Sequence, residues 1–153
     1  MRLSSDILID RTPEQVGAFL DDPANVAKWD RGVASVEESS TPRGAGFEFD
    51  TLAHNQLNLR DRGRMSYRIR EVDPVAGLCV VELTSKAGNA RFFKSAEWHF
   101  QVRPEGEGAR LTCTAAFDLR LRYCFLAPLL YWKRDAILLD LTLLKRAVES
   151  QAV

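Results

Sequence analysis

Residues 111–150, LTCTAAFDLRLRYCFLAPLLYWKRDAILLDLTLLKRAVES, change their period part-way along. Leu111, Cys113, Ala115, Phe117, Leu119 and Leu121 alternate with Thr112, Thr114, Asp118, Arg120 and Arg122. A period of two with one apolar face predicts an antiparallel strand wet on one side only. From about Ala127 to Ser150 the apolar positions follow a helical stripe instead. Leu129, Trp132, Ala136, Ile137, Leu143, Leu144, Ala147 and Val148 form it, with Arg134, Asp135, Thr142, Arg146 and Glu149 opposite. Pro128 sits near the start. At 1.5 Å per residue this helix reaches about 36 Å, enough to cross a whole sheet.

Upstream, the period of two governs most of the chain from about residue 33. Phe47, Phe49 and Thr51 alternate with Glu48 and Asp50. Met65, Tyr67 and Ile69 alternate with Arg64, Ser66, Arg68 and Arg70, and Phe92, Ala96, Trp98, Phe100 and Val102 with Glu97, His99, Gln101 and Arg103. Leu78–Leu83 reads as a further strand. Turn signals separate the runs at Pro42-Arg43-Gly44, Asp73-Pro74 with Gly77, Gly88-Asn89 and Pro104 to Gly108. Asp6–Asp10 reads as a first strand. Thr12 then caps a helix, with Pro13 in its first turn and Gln15 at the capping-box position, and Asp22-Pro23 opens a second short helix that ends near Trp29. The expected fold is therefore α+β, a single domain over residues 1–153. A curved antiparallel sheet of about seven strands grips a long C-terminal helix, with two short helices after strand one.

The bulk numbers narrow the function classes. The chain has 153 residues, with 21 Lys+Arg against 21 Asp+Glu. A formal net charge of zero disfavours bulk capture of nucleic acid or anionic lipid, and leaves room only for a local patch. Cysteines 79, 113 and 124 are odd in number and form no CxxC pair, so all three read as small buried hydrophobes. The opening Met1–Asp6 has no apolar h-region, so no signal peptide is expected. The apolar stretch Tyr123–Trp132 is shorter than the roughly 20 residues that span a bilayer. The expectation is a cytoplasmic monomer or homodimer with no membrane span.

Three local pieces carry a resemblance across the whole chain. Ile9 through Val16, with Thr12-Pro13-Glu14, is like a strand-then-helix family opening. Trp29-Asp30-Arg31-Gly32-Val33 is like that family's passage into strand two, and Leu144–Glu149 is like its closing helix end. In this order they resemble the helix-grip superfamily of START domains, plant pollen allergens and polyketide cyclase/dehydrase proteins, with the look of the bacterial polyketide cyclase/dehydrase-like members. The resemblance implies a hydrophobic-ligand pocket, with no cofactor, and leaves turnover open.

Candidate ligand-binding residues follow from parity. Phe47, Phe49, Met65, Tyr67, Trp98, Phe100 and Phe117 share the inward face, and Trp132, Ala136 and Asp140 face them from the helix. A sheet and one helix that leave space between them make an apolar cavity for a lipid, polyketide or aromatic compound. Asp140 interrupts the apolar stripe, and a buried carboxylate needs a partner or a raised pKa. It reads either as a general acid/base, with Tyr67 orienting the ligand, or as a structural group bonded to backbone amides or an N-terminal arginine. Similar family helices often carry a polar residue near here, which favours the structural role. Lys94 shares the inward parity, but snorkels to the rim unless a bulge reverses it. Arg60, Arg62, Arg64, Arg68 and Arg70 form a basic stripe, best explained by cross-strand pairing with Glu48 and Asp50. It lacks the outward aromatics that RNA stacking needs. His54 and His99 have no partner at metal spacing, so no metal site is indicated. A polyketide aromatase/cyclase or dehydratase-type enzyme is one alternative function. A non-catalytic protein-interaction module with a filled core is the other.

Overall fold

The structure, a computed structural model, describes all residues except 40–41, 55–62, 87, 133–134 and 152–153. Seven strands form one antiparallel sheet: β1 (Arg2–Ile9), β2 (Val33–Glu38), β3 (Glu48–Ala53), β4 (Arg64–Asp73), β5 (Leu78–Leu83), β6 (Phe93–Glu105) and β7 (Gly108–Leu119). Their order is β1-β7-β6-β5-β4-β3-β2, so the two strands first in sequence occupy opposite edges. Helices α1 (Pro13–Leu20) and α2 (Val26–Trp29) join those edges, with a 3-10 turn at Pro23–Asn25 between them. The C-terminal helical region comprises α3 (Ala127–Trp132) and α4 (Asp135–Glu149).

Local chemistry sets these boundaries. Gln15 N–H donates to Thr12 Oγ1 at 3.4 Å, and Thr12 N–H donates back to Gln15 Oε1 at 3.0 Å, closing the capping box that the sequence predicts. Asp22 accepts from Ala24 N–H at 3.1 Å and starts the second helical segment. Register shifts at Val33/Ser35, Ile69/Glu71 and Phe93/Ser95 break the ladder, and extra residues of this kind bend a strand. One face of the sheet packs on α1 and α4. Ile9, Val16, Phe47, Leu111, Leu141 and Leu144 are among the largest side chains with almost no exposure. Each such burial contributes roughly 1.5–3 kcal/mol. Polar clasps fix the end of α4 to the end of β1: Lys145 Nζ donates to Leu8 O at 2.8 Å, and Asp10 N–H donates to Glu149 Oε1 at 2.8 Å.

Four expectations change. Strand β7 stops at Leu119, so Leu121 leaves the inward series and stands 90 % exposed. Phe92 belongs to a 3-10 turn before β6, not to the strand. Cys124 is exposed, because its segment Leu121–Leu126 is a 3-10 turn outside the sheet, while Cys79 and Cys113 are buried as expected. On α4 Leu144 and Val148 are buried as the stripe predicts, but Leu141 joins them while Leu143 is only half-buried, and Leu129 on α3 is 52 % exposed.

The outer face holds the arginines in ion pairs. Arg64 meets Glu37 and Asp50, Arg68 meets Glu48 and Glu82, and Arg70 meets Glu97. This is the cross-strand pairing expected of the stripe; Arg60 and Arg62 lie outside the described residues. His99 shares that face, 2.9 Å from Glu97 Oε1. Lys94 falls at the β6 bulge and is exposed.

Candidate ligand cavity

A cavity of about 130 Å³ lies between the sheet, α2 and α4. Its sheet wall is apolar: Phe49 from β3, Val81 from β5, Trp98 and Phe100 from β6 and Cys113 from β7. Tyr67 lies between them on β4. Its ring stacks on Phe49 with centroids 5.5 Å apart and meets Trp98 edge-on at 5.6 Å. The opposite wall is Val26 and Trp29 of α2 with Ile137 and Leu141 of α4. Trp29 and Phe100 close one side edge to face, 6.2 Å apart. Behind that pair lies a second void of about 40 Å³, which shares Val26, Trp29, Phe49, Val81 and Phe100 with the first and is completed by Phe19, Leu20, Ile69 and Cys79 among others.

The polar groups of the wall are Asp30, Thr51, Tyr67 and Asp140. The Asp140 carboxyl is pushed up to about 6, first by burial and then by the charge of Asp30, while Arg31 pulls it back. Arg31 Nε stands 4.0 Å from Asp140 Oδ1. Asp30 is tied differently: its Oδ1 accepts from Gly32 N–H at 2.8 Å. Burial and the Asp30 charge push the Tyr67 hydroxyl up to about 12, so it stays protonated near neutral pH. That hydroxyl lies 3.8 Å from Met65 Sδ. Burial and the nearby Asp140 push the Cys113 thiol up to about 12, which leaves it a neutral wall group. The Asp140 side chain is 35 % exposed, so water reaches this end of the cavity.

Of the residues named from the sequence, Phe49, Tyr67, Trp98, Phe100 and Asp140 share the cavity wall. Phe47 does not; it is 1 % exposed in the packed core, stacked beside Phe49. Met65 is half-buried behind Tyr67, outside the wall. Phe117 faces inward but packs against Phe93 at 6.0 Å, further along β7. Ala136 is half-buried, and its neighbour Ile137 lines the cavity in its place. The Trp132 side chain lies outside the described residues. Val26, Trp29, Asp30, Thr51, Val81, Cys113, Ile137 and Leu141 also line the wall and are not among the ligand-binding candidates read from the sequence. Trp29-Asp30 stood in plain view as a helix end; which way α2 turns that end depends on its packing against α4.

Comparison with known proteins agrees with this fold. The model of the family described as polyketide cyclase / dehydrase and lipid transport matches residues 1–149. The chain belongs to that family. No curated protein sequence matches it. Among solved structures, a Thermus thermophilus protein is similar over 100 % of both chains, with TM-score 0.73 and 18 % identity. A Streptomyces aromatase/cyclase covers 97 % of this chain and 93 % of its own, with TM-score 0.74 and 12 % identity. Norcoclaurine synthase from Thalictrum flavum covers 99 % and 95 %, with TM-score 0.73 and 11 % identity. At these identities the shared property is the helix-grip fold.

Proposed function

We propose that this family member takes a small hydrophobic ligand into the cavity between the sheet and α4. The ligand's apolar body lies against Phe49, Val81, Trp98 and Phe100, and its polar end meets Asp140 and Tyr67. The observation that carries this reading is the placement of a few polar groups in an otherwise apolar cavity, the usual pattern of a site that orients a greasy ligand. The volume limits the ligand. About 130 Å³ is below the roughly 300–1,000 Å³ of drug-sized sites, which favours one ring or the ring-sized end of a longer molecule. Trp29 and Trp98 both line the cavity, so intrinsic fluorescence reports occupancy. Titration with naphthalene-type dyes, aromatic acids and short fatty acids is expected to give a saturable change. No saturable response with any apolar ligand overturns the reading.

Asp140 favours a second reading, an acid–base enzyme of the aromatase/cyclase or dehydratase type. A carboxyl held near 6 can both give and take a proton close to neutral pH. Tyr67, held protonated, can donate its O–H to a ligand carbonyl. Turnover of a polyketide-like substrate is expected to vanish in Asp140→Asn with the fold intact, and unaltered turnover removes Asp140 from the chemistry.

A further inference from the structure

Nine large apolar side chains are exposed among the described residues, and four of them fall in one short stretch. Leu121, Phe125, Leu129 and Tyr131 are 90, 73, 52 and 56 % exposed, and all fall in the 3-10 turn Leu121–Leu126 and α3. Single exposed hydrophobes are ordinary, but a concentrated run of them marks a contact surface. The run is continuous with an aromatic ladder: Phe92 meets Tyr123 at 5.0 Å, and Tyr123 meets Phe125 at 6.5 Å. Two guanidiniums lie on it, Arg91 5.1 Å from the Phe92 ring and Arg122 4.9 Å from the Tyr123 ring. Both arginines are exposed, and no acidic residue occurs between Asp118 and Asp135. Four arginines of the sheet behave otherwise: Arg64, Arg68, Arg70 and Arg110 each face carboxylates. Arg91 and Arg122 instead lie on rings beside exposed leucine and phenylalanine.

We propose that this face seats the protein on an anionic phospholipid bilayer surface. Leu121, Phe125 and Leu129 enter the boundary between headgroups and acyl chains, as the apolar side of an interfacial segment does, and Arg91 and Arg122 meet lipid phosphates. A second copy of the chain fits less well, because a two-fold pairs the face with itself and residues 119–134 offer no carboxylate to the arginines. The surface is separate from the cavity wall, and vesicle binding is read without any cavity ligand.

Co-sedimentation with phosphatidylcholine vesicles, with and without phosphatidylglycerol, tests it. Binding is expected to be at least about tenfold stronger with phosphatidylglycerol and to fall with added salt. The double variant Leu121→Asp/Phe125→Asp is expected to stay in the supernatant. Arg91→Gln/Arg122→Gln changes only exposed groups, and is expected to lose the phosphatidylglycerol dependence while keeping the native circular dichroism. Binding that ignores phosphatidylglycerol overturns the proposal. So does a solution dimer that the aspartate variant dissociates.

Discussion

Arg31 Nε stands 4.0 Å from Asp140 Oδ1, so a cation from the loop after α2 faces the carboxyl group on the inward side of α4. The pair is loose and partly wet, and it does not offset the cost of burial: the Asp140 carboxyl still sits near 6, above its ordinary 3.8. The folded protein therefore holds this proton more tightly than the unfolded chain does. The stabilisation is complete below about pH 4 and is lost as pH rises through about 6. Asp140→Asn removes the titration. It is expected to raise Tm at pH 7.5 by about 2–4 °C, on the order of 1 kcal/mol after discounting for solvent screening, and to change little at pH 4. Thermal melts at the two pH values check this. A lower Tm at pH 7.5 would mean that the Arg31 pair outweighs burial.

Phe100 lines both the main cavity and the smaller void beside it. Phe100→Ala is expected to join them and to cost about 3–5 kcal/mol as a large-to-small core change. Affinity should shift toward longer apolar ligands, measurable as a reversed preference in a fatty-acid length series followed by Trp fluorescence. An unchanged length preference would show that the ring does not set the depth.

Gly77 adopts φ +62° in the β4–β5 turn, and a Cβ there would lie 2.2 Å from Val102 O. The same turn accepts a hydrogen bond from Val102 N–H at 2.8 Å. Gly77→Ala therefore meets both a left-handed backbone and a clash with main chain, which cannot swing aside. A loss of about 2–4 kcal/mol is expected in urea unfolding, whereas Gly106→Ala meets no neighbour within 4 Å and should cost less.

The thiols should separate by exposure. Cys124 is exposed, while burial pushes Cys79 up to about 11 and Cys113 up to about 12. An aromatic disulfide reagent at pH 8 is expected to modify Cys124 rapidly and the other two only on unfolding, as mass spectrometry of digests would show. Fast modification of Cys113 would indicate that the cavity opens widely.

Local period made the strands, the caps and the inward faces legible. Thr12 and Gln15, or Tyr67 and Trp98, needed only their neighbours in sequence to be placed. Parity tells which face a side chain takes, but not its height along the strand. Phe47, Phe49 and Phe117 all point inward, yet Phe49 alone of the three lines the cavity. Asp140 stood out because a carboxylate on an apolar stripe is costly. Trp29 and Asp30 could not be placed, because α2 is short and its orientation comes from packing against α4. Leu121 is misplaced for the opposite reason, since the alternation runs on in sequence after β7 has ended, and Cys124 is misplaced because residue type alone suggests burial.

The sheet order has a consequence for how the chain assembles during synthesis. Among the described residues β1 pairs only with β7, with Arg2 opposite Ala116, while β2 closes the far edge. The earliest strand to leave a ribosome thus waits for the latest one, and the meander from β2 to β7 can form first. Until that late zipper closes, an N-terminal ribbon carrying Ile7 and Ile9 hangs without its neighbour, the stage at which such a nascent protein is most exposed to aggregation.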